Sequence, residues 1–434
     1  MRTPAGTSAT PPTSPASSSP LDGHEATVRE RWGTPPTAPP WTVPVLRWGL
    51  VAAGAGTLLM LLGVVMEPER TAAAYLVAFS GALAIALGAL AMLMIGHVVR
   101  ATWFVVLRRS CEDVTAVLPW LAVLALPVFI AIPLLYPWGG STAELSMADA
   151  ARLAAREPWL DVPFVVARAV LYFAIWLGLS LALRRWSLRQ DHAASEAETL
   201  ALSHKQRVTS AVGLTPYAFA VTFFAFDWLM SLSVEFYSTV YGLEYWSGGL
   251  VAALALLAVM LVPLARVEGP AAPDGAATAE HSHALGKLLL TFVIFWAYMI
   301  FSQLIVIWSA DLPAEAVFYA PRFQGWWAVA GVAVVVGNFA VPFLLLLLRD
   351  VKRYPRVLAL LGVWLLVFHW LDVQWLVMPS LYPDGFPIHW LDLAAVAAVW
   401  GSCGAVLALR HRGHAVVPAG DPRFAASVRY QPDS

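Results

Sequence analysis

Charge is scarce in this sequence, because Asp, Glu, Lys and Arg make up only 13% of its 434 residues. An ordinary soluble domain carries about 25%. The apolar residues, 59% of the total, fall in long blocks instead of alternating with polar ones. Blocks of this kind are typical of helices that cross a bilayer, so the sequence predicts an all-α integral membrane protein with about ten transmembrane helices.

Cysteine is also rare, with only Cys111 and Cys403 in the chain. Two isolated cysteines cannot ligate an iron–sulfur cluster or form a CxxC or CxxCH site. The sequence has no Walker A loop, no GxSxG and no HExxH motif. It also lacks the long basic block that nucleic-acid binding would favour. These absences argue against a soluble-type active site and against a nucleic-acid partner.

Composition divides the chain into three parts. Residues 1–45 are rich in Pro, Ser and Ala and lack the apolar stretch of a signal peptide, so they are predicted to be a disordered cytoplasmic tail. Residues 46–410 form the predicted ten-helix transmembrane domain, and residues 411–434 a cytoplasmic C-terminal tail. The predicted spans are Trp48–Met66, Thr71–Ile95, Val117–Tyr136, Val162–Leu183, Pro216–Leu232, Leu243–Leu264, Leu288–Ser309, Trp326–Leu348, Val357–Met378 and Trp390–Leu409.

The distribution of basic residues predicts the orientation of these spans. Of the 27 Lys and Arg residues, 22 fall on the side that holds both termini and 5 on the other side. Cytoplasmic segments of membrane proteins carry the excess of Lys and Arg. Both termini are therefore predicted to be cytoplasmic.

One carboxylate, Asp227, lies near the middle of the apolar stretch Pro216–Ser233. Charging a side chain at that depth costs roughly 2.5–3.5 kcal/mol. Asp227 therefore needs a partner, a water-filled cavity or a proton. It is either a mid-membrane proton relay or an acid tied to a neighbour across a helix interface; Ser231, four residues on, shares its helix face.

The tetrapeptide HWLD occurs twice, at His369–Asp372 and at His389–Asp392. Two antiparallel neighbours joined by a short loop would place all four polar residues at a similar depth, in a hydrated patch near the outer surface. His369 and His389 also form the one histidine pair at matched depth, but hydrogen bonding to the nearby acids explains them at least as well as haem ligation. Arg168 is expected to snorkel or to pair with an acid; the acids considered are Asp372, Asp392 and Asp311.

The seventh span supplies further candidates. Tyr298, Ser302 and Gln303 either line a proton path or bridge helices. Lys287 lies at the cytoplasmic start of that span. It is either a residue at the cytoplasmic entrance of the proton path or a basic residue that anchors the cytoplasmic end of the helix.

Four stretches carry a resemblance to a known family, namely FDWLMSL at 226–232, YSTVYG at 237–242, LGKLLLTFVIFWAYMIFSQLIVIW at 285–308 and PFLLLLLRDVKR at 342–353. Over residues 45–425 the chain resembles the second NrfD-like (polysulfide-reductase-type) membrane subunit of alternative complex III, the bacterial quinol:cytochrome c oxidoreductase. The sequence departs from that pattern after the MSL motif, where Ser233 and Glu235 stand in place of the family's acid and histidine.

The resemblance implies a ten-helix subunit built around a four-helix bundle in the bacterial inner membrane. It implies no haem or iron–sulfur cluster on this chain, a candidate quinol or quinone site and a candidate proton path. The implied partners are a sister NrfD-like subunit, an iron–sulfur subunit and c-type cytochromes, which would hold the clusters and haem c. Asp227 and the His369–Asp372 pair match polar positions of the family pattern.

Three functional hypotheses follow. In the first, the chain is a cofactor-free subunit of a quinol-oxidising complex, in which Asp227 relays protons and His369, Asp372 and Asp392 release them. In the second, the buried polar residues only fix helix packing and the subunit is structural. In the third, the chain is a secondary transporter, but the matching pair of broken helices typical of transporters is missing.

Overall fold

The computed structural model describes residues 41–140, 146–267, 275–310, 316–385 and 388–431. Seventeen α-helices occur in these ranges, and no strand is found among them. The first nine are α1 Thr42–Met66, α2 Pro68–Val98, α3 Val105–Thr115, α4 Leu118–Leu124, α5 Leu126–Ile130, α6 Ile132–Leu135, α7 Met147–Leu160, α8 Val162–Gln190 and α9 Glu196–Trp228. The remaining eight are α10 Tyr241–Leu264, α11 Ala279–Ala310, α12 Gly325–Val335, α13 Val341–Leu347, α14 Arg349–Arg353, α15 Pro355–Leu381, α16 Trp390–Arg410 and α17 Phe424–Val428.

Within the described residues, ten helical segments are long and apolar enough to cross a membrane. The predicted all-α architecture and the number of spans are confirmed, since each predicted span overlaps one of these segments. The described residues thus form an all-helical structure of the kind found in multi-pass membrane proteins. The side on which its termini lie stays a prediction.

Proline shapes two of the segments. The third span is divided into α3, α4, α5 and α6 because Pro119, Pro127 and Pro133 lack the backbone N–H that a continuous helix requires. In the eighth span, a π-helical turn at Val336–Ala340 separates α12 from α13, whose first turn contains Pro342.

Helix α2 occupies the centre of the molecule. Its apolar stretch is buried along its whole length, and α9, α10, α15 and α16 pack around it. The crossing with α10 is close, because a Cβ atom on Gly88 would lie only 2.4 Å from the Gly249 carbonyl oxygen. Small residues permit this approach of two backbones. The Gly- and Ala-rich second span is thus a packing element.

Helix α1 lies at the periphery. It packs on α16 through Gly49 and Gly56, where an added Cβ atom would meet the α16 backbone within 3 Å. Its other face leaves large apolar side chains such as Leu58 and Val65 exposed. Residues 1–40 of the predicted N-terminal tail, 1–45, lie outside the described residues, and α1 begins at Thr42, four residues before the predicted transmembrane domain.

The C-terminal segment, which we define as residues 411–431, is packed against the bundle rather than extended as a tail. Its short helix α17 packs on α3, and Ser427 accepts a hydrogen bond from the Val106 backbone N–H at 3.3 Å. The Trp41 and His411 rings lie 5.0 Å apart, so the start of the described chain lies beside the start of the C-terminal segment. We call this end of the bundle, which also carries Arg108 and Arg184, the basic end.

Candidate functional site

Asp227 forms a fully buried ion pair with Arg168. The Arg168 Nε and Nη2 atoms donate to the two carboxylate oxygens at 2.9 and 2.8 Å. Tyr172 Oη and Trp159 Nε1 each donate to the same carboxylate at 2.9 Å. The guanidinium lies 4.0 Å from the Trp159 ring centroid. Four donors therefore satisfy this acid, and α7 supplies one of them by carrying Trp159 over the pair.

Two expectations about this pair are corrected. Arg168 pairs with Asp227 and not with Asp372 or Asp392; the third expected partner, Asp311, lies outside the described residues. Asp227 is also not in the middle of its helix. Its helix α9 begins at Glu196, well before the predicted start, and because it ends at Trp228, Asp227 falls in its last turn. The cavity beside this carboxylate measures about 10 Å³, room for one water molecule at most.

Asp392 is held in a similar way. It accepts a hydrogen bond from Arg70 Nη2 at 2.6 Å and one from the His389 backbone N–H at 2.7 Å. The second bond, together with the His389 side chain, forms a capping box at the start of α16. The role of the second HWLD tetrapeptide visible in the structure is therefore to begin a helix.

The four HWLD residues do not form one patch. Helix α16 packs on α1 and α2, whereas the Asp372 carboxylate faces α10 and α11, so the two tetrapeptides meet different neighbours. His369 is buried, with its Nε2 atom 3.2 Å from the Gly81 carbonyl oxygen and its ring 6.5 Å from that of Trp400. The expectation failed because α2 takes up the space between much of α15 and α16.

Asp372 is buried without a cation. Trp296 Nε1 donates to its Oδ2 atom at 3.2 Å. Gly248 of α10 makes room for the acid, since a Cβ atom there would lie 3.0 Å from the same oxygen. No Lys, Arg or His within the described residues forms a salt bridge with Asp372.

A second acid of this kind, Glu244, lies one helical turn from Gly248. Gln303 Nε2 donates to its Oε2 atom at 2.9 Å and lies 3.2 Å from Tyr319 Oη. The half-buried Ser238 hydroxyl donates to Gln303 Oε1 at 2.8 Å. Glu244 is only 4% exposed, and Asp372 lies beside Gly248, one helical turn along α10 from it. We call Glu244, Asp372, Gln303 and Trp296 the Glu244–Asp372 cluster.

The loop that precedes α12 contributes a buried arginine, Arg322, which forms no ion pair with an acid in the described part of the chain. Arg322 donates to the carbonyl oxygens of Phe318 and Leu376 at 2.6 and 2.7 Å and to Ser380 Oγ at 3.0 Å. Burial lowers its pKa to about 10, although the charge of Glu244 acts in the opposite direction. The positive charge thus influences the cluster from a distance without locking either carboxylate.

Of the candidates on the seventh span, only Gln303 joins the cluster. Tyr298 lies about 140° around α11 from Gln303 and is 61% exposed. Lys287 is exposed at the basic end, and Ser302 donates to the Met299 carbonyl oxygen of its own helix at 2.9 Å. The helical period therefore turns Tyr298 and Lys287 away from the bundle interior.

Sequence reasoning missed Glu244, the central acid of the cluster. The signal was present, because Glu244 is an acid inside the predicted span Leu243–Leu264. Only its packing against Gln303 in the structure reveals its burial. Arg322 was likewise counted as a loop charge.

No three His, Cys, Asp or Glu residues in the described part of the chain are grouped so that they could hold a metal ion. A comparison with family models finds no match to this sequence. A comparison with curated proteins finds no match either.

Proposed function

We propose that this chain is a cofactor-free membrane subunit of a bacterial quinol:cytochrome c oxidoreductase of the alternative complex III type, and that its Glu244–Asp372 cluster exchanges protons during quinol oxidation. The observation that carries the proposal is the pair of neighbouring, buried acids Glu244 and Asp372, neither of which forms an ion pair within the described residues. The four motif stretches at 226–232, 237–242, 285–308 and 342–353 support the choice of complex.

The chemistry of quinol oxidation gives such a cluster a task. Oxidation of a quinol to a quinone releases protons together with electrons, and those protons must reach water. A carboxylate locked to an arginine is held in its charged form, whereas a buried acid without a cation can bind and release a proton. Glu244 and Asp372 therefore replace Asp227 as the proposed proton carriers. The half-buried Ser238 hydroxyl marks the route from Gln303 toward the surface.

The proposal assigns electron carriers to other chains. A sister NrfD-like subunit, an iron–sulfur subunit and c-type cytochromes would be the partners, within the bacterial inner membrane. Haem c and the iron–sulfur clusters would belong to them, and a quinone could contact this chain at its membrane-facing surface.

The test compares Glu244→Gln and Asp372→Asn in complex purified through a tag on this chain. Both changes keep the shape of the side chain and remove the ability to exchange a proton. We expect normal assembly, with turnover and proton release lowered roughly tenfold or more. Tyr298→Phe, which removes an exposed hydroxyl from the outer face of α11, is the matched control and should leave both unchanged.

Two results would contradict the proposal. Unchanged turnover and proton stoichiometry in both variants would remove the proton-exchanging role. Purification of the chain without any haem or iron–sulfur protein would remove the assignment to a quinol-oxidising complex.

A structural subunit is the second candidate, and the Arg168–Asp227 and Arg70–Asp392 ion pairs favour it. Pairs of this kind hold helices together without exchanging protons. In that case Glu244→Gln and Asp372→Asn would lower the yield of assembled complex, while the complex that remains would keep its full turnover.

A further inference from the structure

A cavity of about 300 Å³ opens at the basic end, between the end of α2, the start of α9 and the C-terminal segment. This volume is at the lower end of the range of small-ligand pockets. Six basic side chains line it, and no acidic one does: Arg100, Arg108, Arg207, Arg423, His97 and His204.

The charges around the cavity are not balanced. Asp421 forms ion pairs with Arg108 and, at 3.4 Å, with Arg423. Arg100 and Arg207 form no ion pair with any residue in the described ranges. Arg108 also pairs with Glu112, but among the described residues the ion pairs leave the cavity with a net positive charge.

Three nitrogen atoms of the lining are buried without a hydrogen-bond partner in the described part of the chain, namely Nε2 of His97, Nε of Arg108 and Nη1 of Arg423. The His97 side chain is only 5% exposed, whereas Arg108 Nε lies 3.2 Å from a carboxylate oxygen of Glu112 in an ion pair. Buried polar groups are nearly always hydrogen-bonded, and an unsatisfied one is destabilising. The His97 and Arg423 atoms thus lack a partner that a bound anion could supply.

We propose that this cavity binds a phosphate group, either the phosphodiester of an anionic phospholipid or a free phosphate. Guanidinium groups match phosphate oxygens in geometry and charge, and such hydrogen bonds are stronger than neutral ones. Leu200, which lines the cavity and is 52% exposed, adds an apolar edge next to the charged pocket. Basic pockets beside membrane helices are suited to lipid headgroups.

The test uses the full-length chain in nanodiscs of phosphatidylcholine. The double variant R100Q/R207Q removes two lining charges that form no ion pairs, and the control R185Q/R189Q removes two exposed charges of α8 that do not line the cavity. One arm adds phosphatidylglycerol to the nanodisc, and the other adds inorganic phosphate to the buffer. Retained lipid is measured by native mass spectrometry and binding by the shift in Tm.

We expect phosphatidylglycerol to raise the Tm of the wild type and of R185Q/R189Q, with its affinity for R100Q/R207Q lowered roughly tenfold. A response to inorganic phosphate alone, equally lost in R100Q/R207Q, would identify free phosphate as the source and still support the site. Unchanged Tm in both arms, or an equal response of both double variants, would overturn the proposal. Size-exclusion profiles and Tm without ligand check that R100Q/R207Q is folded.

Discussion

At the scale of single residues, the buried acids differ in what touches them. Asp227 and Asp392 accept hydrogen bonds from Arg168 and Arg70, whereas Asp372 receives one from the neutral Trp296. Removing one partner of a buried ion pair leaves the other charge uncompensated, which is strongly destabilising. The same change at an acid without a cation leaves no opposite charge uncompensated. Equivalent substitutions should therefore have different consequences at these positions.

Asp227→Asn tests this difference. We expect it to lower the free energy of unfolding by about 3 kcal/mol or more, because the buried Arg168 charge loses its counter-charge. The measurement is thermal unfolding of the purified chain in detergent.

The matched control is Asp149→Asn, which alters an ion pair with Arg152 that is exposed to solvent. Exposed ion pairs contribute little to stability, so its Tm should equal that of the wild type. Equal Tm values for Asp227→Asn and the wild type would show that the Arg168 pair is not structural.

At the scale of elements, α3 is a polar helix buried on all sides. Its residues Arg108, Arg109 and Asp113 form ion pairs with Asp421, Asp191 and Arg184 respectively. Asp113 also contacts His411. Charges in a buried helix need partners, and here α8 and the C-terminal segment supply them. The segment that composition assigned to a tail is thus required to cover α3.

Lowering the pH should detach the C-terminal segment from the bundle. Burial alone would raise the pKa of Asp421, but Arg108 and Arg423 outweigh it and hold the pKa below its usual value of 3.8. Since the folded pKa is below the unfolded one, the ionised carboxylate stabilises the segment above pH 3.8, and that contribution is lost as pH falls through the folded value.

The measurement is hydrogen exchange of residues 421–430, corrected for the intrinsic effect of pH. Exchange should rise below about pH 4 in the wild type, whereas Asp421→Asn should already exchange faster at neutral pH and respond less to acid. Peptides from α2 serve as the control and should stay protected. A C-terminal segment that stays protected in Asp421→Asn would contradict the coupling.

At the scale of the whole molecule, α2 determines how closely the other helices assemble. The atoms nearest to a Cβ atom on Gly88 belong to the backbone of α10, at 2.4 to 2.8 Å, and a backbone cannot move aside as a side chain can. Gly88→Ala should therefore separate the two helices and lower the free energy of unfolding by about 1–3 kcal/mol.

Gly54→Ala is the matched control, because nothing lies within 4 Å of the Cβ atom that it adds to α1. It should leave the Tm unchanged or slightly higher, since alanine favours a helix more than glycine does. Thermal unfolding in detergent measures both variants. Equal Tm values for Gly88→Ala and Gly54→Ala would show that α2 and α10 are not held in close contact.

The sequence by itself determined the helical class, the ten spans and the scarcity of charge inside them, because burying apolar length in a bilayer leaves few alternatives to a helix. It also identified Asp227, Asp372 and Gln303 as polar residues that need partners. Only the tertiary structure determines which residues those partners are. Arg168 of α8 reaches Asp227 of α9, and Asp372 of α15 is buried beside Gly248, one turn from Glu244 of α10, at distances in sequence that no local pattern records. Packing between distant segments, and not helix periodicity, decides which buried acid is paired with an arginine and which accepts hydrogen bonds from neutral groups only.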